Sequence, residues 1–180
     1  MANIVGTTGT IADVNDFKQL EVSSVERPHD HWKNERTGEV WSAPFSIAPS
    51  ATGKKFFYLK NTGTKALNIT DVRLESTVVG RCEVIQVTGT AGATAAVAIT
   101  PVSRNTGKTP VLTSTITSDT DVTTVVTAGT WFYIPVAVTN TLYHLRTTSN
   151  IIIAPGTAMA LNWVGATATI TGVVSIAIGD

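Results

Sequence analysis

The C-terminal stretch "IIIAPGTAMALNWVGATATITGVVSIAIGD", residues 151–180, decides the fold of this protein, and it carries no charged side chain before Asp180. A membrane-spanning helix needs about 20 consecutive apolar residues, and Pro155-Gly156 interrupts this run too early for one. From residue 167 onward, apolar side chains instead recur at every second position, which is typical of a half-buried β-strand. The side chains that share the apolar face are Ala168, Ile170, Val174, Ile176 and Ile178.

A second alternating run lies just before the first. Met159, Leu161 and Trp163 share one face of a predicted strand, and Gly165-Ala166 separates the two runs. The sequence therefore predicts a C-terminal β-hairpin that is entered through a Pro-Gly turn. Because both strands are so apolar, we expect them to be buried twice, once in the protein's own core and once against a neighbouring subunit.

The composition suits a single domain with a core of its own, since the chain has 180 residues and a mass of 19.0 kDa. Its 13 basic and 13 acidic residues give a formal net charge of +0. Without a net charge to create a long-range electrostatic field, we expect neither nucleic acid nor a membrane as partner.

The single cysteine, Cys82, excludes an internal disulfide framework and is predicted to be a core residue. No signal peptide is recognisable at the N-terminus, so we expect synthesis in a cytoplasm.

Charge divides the chain into two regions. Nine of the 25 residues from 17 to 41 are Asp, Glu, Lys or Arg. Residues 1–50 show no sustained period and are broken by prolines, which predicts an extended N-terminal arm with at most short strands. Residues 51–180 consist of short alternating runs separated by turn residues, which predicts a β-sandwich body.

The predicted body is all-β, an antiparallel two-sheet sandwich with jelly-roll strand order. Leu67 and Ile69 share one face of a strand whereas Val72 and Leu74 share the other, so we expect a bulge near Thr70-Asp71. The predicted core residues are Leu67, Ile69, Ile134, Leu161, Ile170, Val174 and Ile176.

A metal-ligand pattern stands in the charged region. His29, His31 and Glu35 form H-x-H-x3-E, a ligand set that suits zinc or another transition metal and that opens the metal motif of cupins. Ser23 and Ser42 occupy the positions where cupins have glycine, and the later motif with a third histidine is missing. We therefore predict no metal and no cofactor, with a cupin-like metalloenzyme as the less favoured alternative.

Motifs for catalysis are missing as well. The chain has no G-x-S-x-G elbow and no glycine-rich phosphate loop, and its Ser, His and Asp residues follow no recognisable triad order. Carboxylates are sparse in the β region, and no pair of them stands out for glycoside hydrolysis. We predict that the protein is not an enzyme.

Aromatic residues and arginine point to a partner. Trp and Arg are the side chains that most often anchor interfaces, so we predict that Trp32, Arg36 and Trp41 of the charged segment bind a larger protein assembly. The alternative is that this segment packs as edge strands on its own body.

The three adjacent aromatic residues 131–133 must occupy both faces of a strand, which leaves one face for a partner or a covering arm. Trp163 alternates with other apolar residues and is predicted to lie in the core.

Two stretches carry a resemblance to a known kind of protein. "KKFFYLKNTGTKALNITDVRL" (residues 54–74) and the closing run from residue 151 resemble the auxiliary capsid proteins of tailed bacteriophages, called cement or decoration proteins. The shared pattern is an aromatic-rich strand, an N-x-G turn, an amphipathic strand, and then a late Pro-Gly turn with an alternating last strand. No motif of functional residues defines the group, so the resemblance transfers no site residue.

What the resemblance implies is a jelly-roll body, a homotrimer, and a non-catalytic role in clamping neighbouring subunits of the major capsid protein. The protein would then be made in the host cytoplasm and would lie on the outer capsid surface of the virion. The alternative that stays open is a carbohydrate- or receptor-binding β-sandwich module of a phage fibre or tail, which would show an exposed aromatic shelf on one face.

Overall fold

A computed structural model describes residues 4–5, 11–14, 20–23, 34, 36–92, 95–108 and 111–179, with only the backbone for the first three ranges and for residues 146–150. The chain forms two compact units, Met1–Trp32 and Lys33–Asp180. In the first unit, three short strands form an antiparallel sheet in chain order: β1 (Ile4–Val5), β2 (Ile11–Val14) and β3 (Leu20–Ser23).

The second unit contains two antiparallel sheets, of six and of five strands. Their strands are β4 (Val40–Ile47), β5 (Lys54–Asn61), β6 (Leu67–Ser76), β7 (Gly80–Thr88), β8 (Val97–Ala98), β9 (Val102–Ser103), β10 (Ser114–Ser118), β11 (Val126–Val136), β12 (Tyr143–Ile153), β13 (Ala158–Gly165) and β14 (Ile170–Ile178). The six-stranded sheet has the order β11-β7-β13-β5-β10-β8, and the five-stranded sheet has the order β12-β6-β14-β4-β9. Among the described residues, no helix has the length and apolar character to cross a membrane.

The strand order confirms the predicted all-β sandwich with jelly-roll topology. If the short strands β8 and β9 and the inserted β10 are set aside, β4-β14-β6-β12 lies in one sheet and β5-β13-β7-β11 in the other. Of these eight strands, the first (β4) pairs with the last (β14), and the second (β5) pairs with the second-last (β13). This arrangement is the double Greek key of a jelly roll. The three inserted strands extend one side of the sandwich.

The main core fills the space between the two sheets, and all seven predicted core residues are buried in it. The bulge predicted near Thr70-Asp71 is present, because Asp71 pairs with Ser175 and Ile69 pairs with Ile176, so that Thr70 has no opposite residue on β14. The extra residue reverses the alternation of β6 and thereby turns both halves of its apolar pattern toward the same core.

A second apolar cluster lies on the outer face of the six-stranded sheet, beneath residues 119–125, which we call the strap. The carboxylate of Asp119 is fully buried and accepts a hydrogen bond from the backbone N–H of Ala95 at 2.9 Å. The N–H of Val122 donates to the carbonyl of Lys55 at 2.7 Å, which fixes the strap against β5. The residues of this cluster are Tyr58, Ile85, Val87, Val122, Val125, Ala158 and Ala160.

The predicted C-terminal hairpin is wrong. β13 pairs with β5 and β7, whereas β14 pairs with β4 and β6, so the two strands lie in opposite sheets and face each other across the core. Both are central strands, and the strap covers part of the outer face of β13. Burial inside one subunit therefore accounts for the apolar sequence, and no neighbouring subunit is needed to bury these strands.

The predicted boundary between residues 50 and 51 is also wrong, because β4 belongs to the body. Its eight residues pair with β14, and the side chains of Ala43 and Phe45 lie in the main core. Pro44 resembled a strand breaker in the sequence. It is tolerated because β9 pairs only with Trp41 and Ser42, so no described strand pairs with β4 on that side at the proline, which lacks an N–H to donate. For β4, the alternative of packing near the sheet edge of its own body is the correct one.

Candidate functional site

The three predicted partner-binding residues have different outcomes. Trp32 lies outside the described residues. Arg36 is exposed, and its role stays a prediction. Trp41 is only 3% exposed and shares the inward face of β4 with Ala43 and Phe45. Its indole packs within its own subunit, which corrects the prediction that Trp41 binds a partner.

His29, His31 and Glu35 lie outside the described residues too, so the prediction of no metal there stays a prediction. Within the described ranges, no three His, Cys, Asp or Glu side chains come close enough to hold a metal ion. On the outer face of the five-stranded sheet, the carboxylate of Asp71 accepts a hydrogen bond from Nε of Arg73 at 2.6 Å and lies 2.5 Å from Nε2 of His144.

Cys82 lies in the main core, as predicted. Burial, with a smaller contribution from the negative charge of Glu83, raises the pKa of the Cys82 thiol far above its ordinary value. A thiol that stays protonated at neutral pH is a poor nucleophile. Cys82 is therefore a packing residue in this fold.

One end of the sandwich exposes three apolar side chains, which we call the apolar loop surface. Val79 is 53% exposed, Val138 is 58% exposed and Leu142 is 60% exposed. Val79 belongs to the β6–β7 turn, and the other two belong to the β11–β12 loop. The two loops are joined, because the N–H of Asn140 donates to the carbonyl of Ser76 at 2.8 Å.

Hydrogen bonds hold these loops in place. The hydroxyl oxygen of Tyr143 accepts from the backbone N–H groups of Ala137 and Val138, at 2.9 Å and 2.7 Å. In the other loop, the hydroxyl of Ser76 donates to the carbonyl of Val78 at 2.9 Å. A surface that is ordered before it meets a partner loses less conformational entropy on binding.

A polar cluster lies on the part of the six-stranded sheet's outer face that the strap leaves open, and we call it the polar shelf. Tyr133, Glu83, Asn162 and Lys55 stand side by side on β11, β7, β13 and β5, since the register pairs each with the next. Arg81 lies two residues from Glu83 on β7 and completes the shelf. A β-bulge between Thr130 and Phe132 makes this arrangement possible by shifting the alternation of β11.

The aromatic run of β11 occupies both faces, as expected. Trp131 and Phe132 pack against the main core, whereas Tyr133 is 57% exposed on the outer face. The guanidinium carbon of Arg81 lies 5.2 Å from the centre of the Tyr133 ring, within the range of a cation–π contact. The shelf therefore presents an aromatic ring beside a cation.

Glu83 links the members of the shelf, and its side chain is only 14% exposed. One carboxylate oxygen accepts from Arg81 at 3.1 Å, and the other accepts from the side-chain nitrogen of Asn162 at 2.9 Å. The amide oxygen of Asn162 is buried and has no hydrogen-bond donor in the described part of the chain. Leaving such an acceptor unsatisfied costs about 1–3 kcal/mol.

Sequence reasoning identified neither the apolar loop surface nor the polar shelf. The exposed apolar residues are isolated in loop sequence, and the shelf residues come from strands that are far apart in the chain. The one sequence signal was the aromatic run at residues 131–133, which required one ring to face outward. Comparisons with family models, with curated proteins and with solved structures find no match for this chain.

Proposed function

We propose that this chain is a structural, non-catalytic accessory protein that binds and stabilises an icosahedral capsid in the manner of phage cement or decoration proteins. Its partner is the major capsid protein, on the outer surface of the virion. The observation that carries the proposal is the apolar loop surface, because it offers a protein partner side chains that water solvates poorly. The jelly roll is compatible with this role, since it occurs in viral capsid proteins, but it also serves lectins and cupins.

The surroundings of the apolar loop surface have the character of a protein interface. The neighbouring loop residues Thr77, Thr139 and Thr141 are polar, uncharged and exposed. An apolar centre within a polar rim is the usual anatomy of a binding patch between proteins. Side chains that project from loops bury their area against another surface, whereas a small ligand requires a concave site.

The N-terminal unit supplies a second contact in this proposal. It is compact by itself, with the sheet formed by β1, β2 and β3. Its residues 17–32 interleave both signs of charge, which suits specific salt-bridged docking more than a general electrostatic field. Two contacts on one chain, repeated in a homotrimer, bind a symmetric shell by avidity even where each contact is weak.

The experiment uses capsids assembled without this protein. The purified chain is added, the particles are sedimented, and bound protein is quantified for the wild type and for Leu142→Asp. We expect the aspartate to reduce retention at least tenfold, because a buried, unpaired charge at a contact costs several kcal/mol. Val126→Asp is the matched control, since Val126 is an exposed valine, 68% accessible, at the start of β11 and away from these loops. Equal retention of Leu142→Asp and wild type contradicts the proposal.

A further inference from the structure

We propose that the polar shelf is a binding site for an acidic oligosaccharide, which stacks a sugar ring on Tyr133 and directs a carboxylate toward Arg81, with Lys55 at the far end of the shelf for a second one. This inference is independent of capsid binding, because it concerns a sheet face and not the loop end of the sandwich. Four features of the shelf favour such a ligand: its shape, its aromatic ring, its hydrogen-bonding groups and its charge.

The polar shelf is an open strip of sheet surface that the strap borders on one side. Adjacent strands lie about 4.8 Å apart, so the row from Tyr133 to Lys55 spans about 14 Å across four strands. The next row on the same face, formed by Ile85, Ala160 and Tyr58, is covered by the strap. The middle of the strap is fixed beside the shelf, because the N–H of Val122 donates to the carbonyl of Lys55 at 2.7 Å. An extended ligand of a few rings fits along such a strip.

The aromatic ring of Tyr133 suits the apolar C–H face of a pyranose. The ring is the large side chain that β11 exposes on this face, and it stays 57% exposed although Arg81 contacts it. An amphipathic ring with a polar tip can stack on the sugar face and bond to a hydroxyl group at the same time. The contact with Arg81 also holds the ring in position before a ligand arrives.

The hydrogen-bonding groups of the shelf are planar and already oriented. Glu83 fixes both Arg81 and Asn162 through bonds of 2.9–3.1 Å. Planar carboxylate, amide and guanidinium groups offer paired donors and acceptors, which match the vicinal hydroxyl groups of a sugar.

The charge of the shelf favours an acidic sugar over a neutral one. Glu83 offsets one of the two cations, which leaves one positive charge in excess. Arg81 has five N–H donors, and only its Nε and one terminal nitrogen are directed at Glu83. The Lys55 ammonium makes no hydrogen bond or ion pair with a described residue, so it too can meet a carboxylate.

The outer face of the other sheet differs from the shelf along β4 and β14. There, β4 and β14 present small side chains, and the hydroxyl groups of Ser46 and Thr171 bond to each other at 3.0 Å. Exposed ion pairs contribute little to stability. On that sheet the Asp71 carboxylate contacts Arg73 and His144. Glu83 instead orients an amide and a cation that contacts the exposed ring of Tyr133, a combination that suits ligand binding.

The test uses the full-length protein and two carboxylated probes, trigalacturonic acid and 3′-sialyllactose, with maltotriose and lactose as neutral controls. Binding is measured by saturation-transfer NMR and by titration calorimetry. We expect at least one acidic probe to bind and both neutral sugars to bind at least tenfold more weakly. Tyr133→Ala should weaken binding of the acidic probe about tenfold, the loss expected for one aromatic contact.

The matched control for Arg81→Ala is Arg73→Ala. Both arginines pair with a carboxylate two residues away on the same strand, but Arg73 lies on the outer face of the other sheet. Arg81→Ala should weaken binding about tenfold or more, whereas Arg73→Ala should leave it unchanged, with equal melting temperatures for both variants. The proposal is overturned if neither acidic probe binds, if neutral sugars bind equally well, or if folded Tyr133→Ala binds as the wild type does. Loss of capsid retention in Tyr133→Ala without any sugar binding would assign the shelf to a protein partner instead.

Discussion

Gly172 of β14 lies directly opposite Phe45 of β4, and the phenyl ring covers the position where a side chain would stand. A β-carbon at Gly172 would clash with the backbone carbonyl oxygen of Arg73 and would lie 2.7 Å from Cζ of Phe45 and 3.1 Å from Cα of Leu74. The atoms of Arg73 and Leu74 are backbone and cannot rotate away. We expect Gly172→Ala to destabilise the fold by about 1–3 kcal/mol through overpacking, which urea unfolding of the purified protein measures.

The matched control is Gly129→Ala on β11, where no atom of the described residues, apart from its two chain neighbours, lies within 4 Å of the added carbon. Alanine at such a site should leave the stability unchanged or raise it slightly, because it restricts the unfolded chain. If both variants unfold at the same urea concentration, the close packing of Gly172 against Phe45 has no energetic consequence.

The hydroxyl of Tyr143 offers a second test, since it accepts the N–H groups of both Ala137 and Val138. Tyr143→Phe keeps the ring and removes these two hydrogen bonds, each of which contributes about 0.5–1.5 kcal/mol. We expect a loss of about 1–2 kcal/mol in the free energy of unfolding and faster hydrogen exchange at Ala137 and Val138. Tyr133→Phe should change neither, because the Tyr133 hydroxyl has no hydrogen-bond partner in the described part of the chain. Undiminished protection in Tyr143→Phe would show that the loop is held by other contacts.

Periodicity predicted the strands and the core well, because alternation along one strand reports directly on which side chains face inward. It even located the bulge of β6, where Leu67-x-Ile69 and Val72-x-Leu74 are out of phase. The pairing of strands was harder, since an apolar face does not specify its neighbour. β13 and β14 are consecutive and equally apolar, yet they do not pair with each other. β13 lies between β7 and β5 in one sheet, and β14 lies between β6 and β4 in the other.

The two surfaces could not be predicted for a related reason. Glu83 and Asn162 are 79 positions apart in sequence, and only the register of β7 with β13 brings them together. Trp41 was a reasonable anchor by residue type, but the long-range pairing of β4 with β14 buries it. Residue type therefore indicated which side chains bind partners in general, whereas the pairing of the strands determines which of them are accessible.

Alkaline pH should destabilise the protein through Tyr58. Burial raises the pKa of its phenol above the ordinary value of 10.0, and a backbone hydrogen bond offsets this only partly. As the pH rises, the phenol therefore ionises in the unfolded chain before it does so in the folded protein. The contribution of Tyr58 to the free energy of unfolding is present below pH 10 and is lost above it, at up to about 1.4 kcal/mol per pH unit for one group. Urea unfolding from pH 8 to pH 11 measures the slope.

Tyr58→Phe should make this slope shallower, because the titrating group is gone. The buried Cys82 thiol, whose pKa is also raised, contributes in the same direction and accounts for part of the slope that remains. An unchanged slope in Tyr58→Phe would mean that the phenol is ionised equally well in the folded protein.

The N-terminal unit allows the sharpest separation of folding from binding. Deletion of residues 1–32 removes one compact unit and leaves β4, all of its partners and the main core intact. We expect the shortened protein to unfold cooperatively, with a melting temperature within a few degrees of the full chain, and to lose most of its retention on capsids, because one of two linked contacts is gone. Light scattering on both proteins reports whether the chain forms the proposed homotrimer and whether that assembly needs the deleted unit. A longer deletion, through residue 43, is the control for folding, since it removes half of β4 and should abolish the cooperative transition.

If the protein lacking residues 1–32 is retained as well as the full chain, the body alone makes the contact. If it aggregates, the N-terminal unit is part of the fold and not a binding arm.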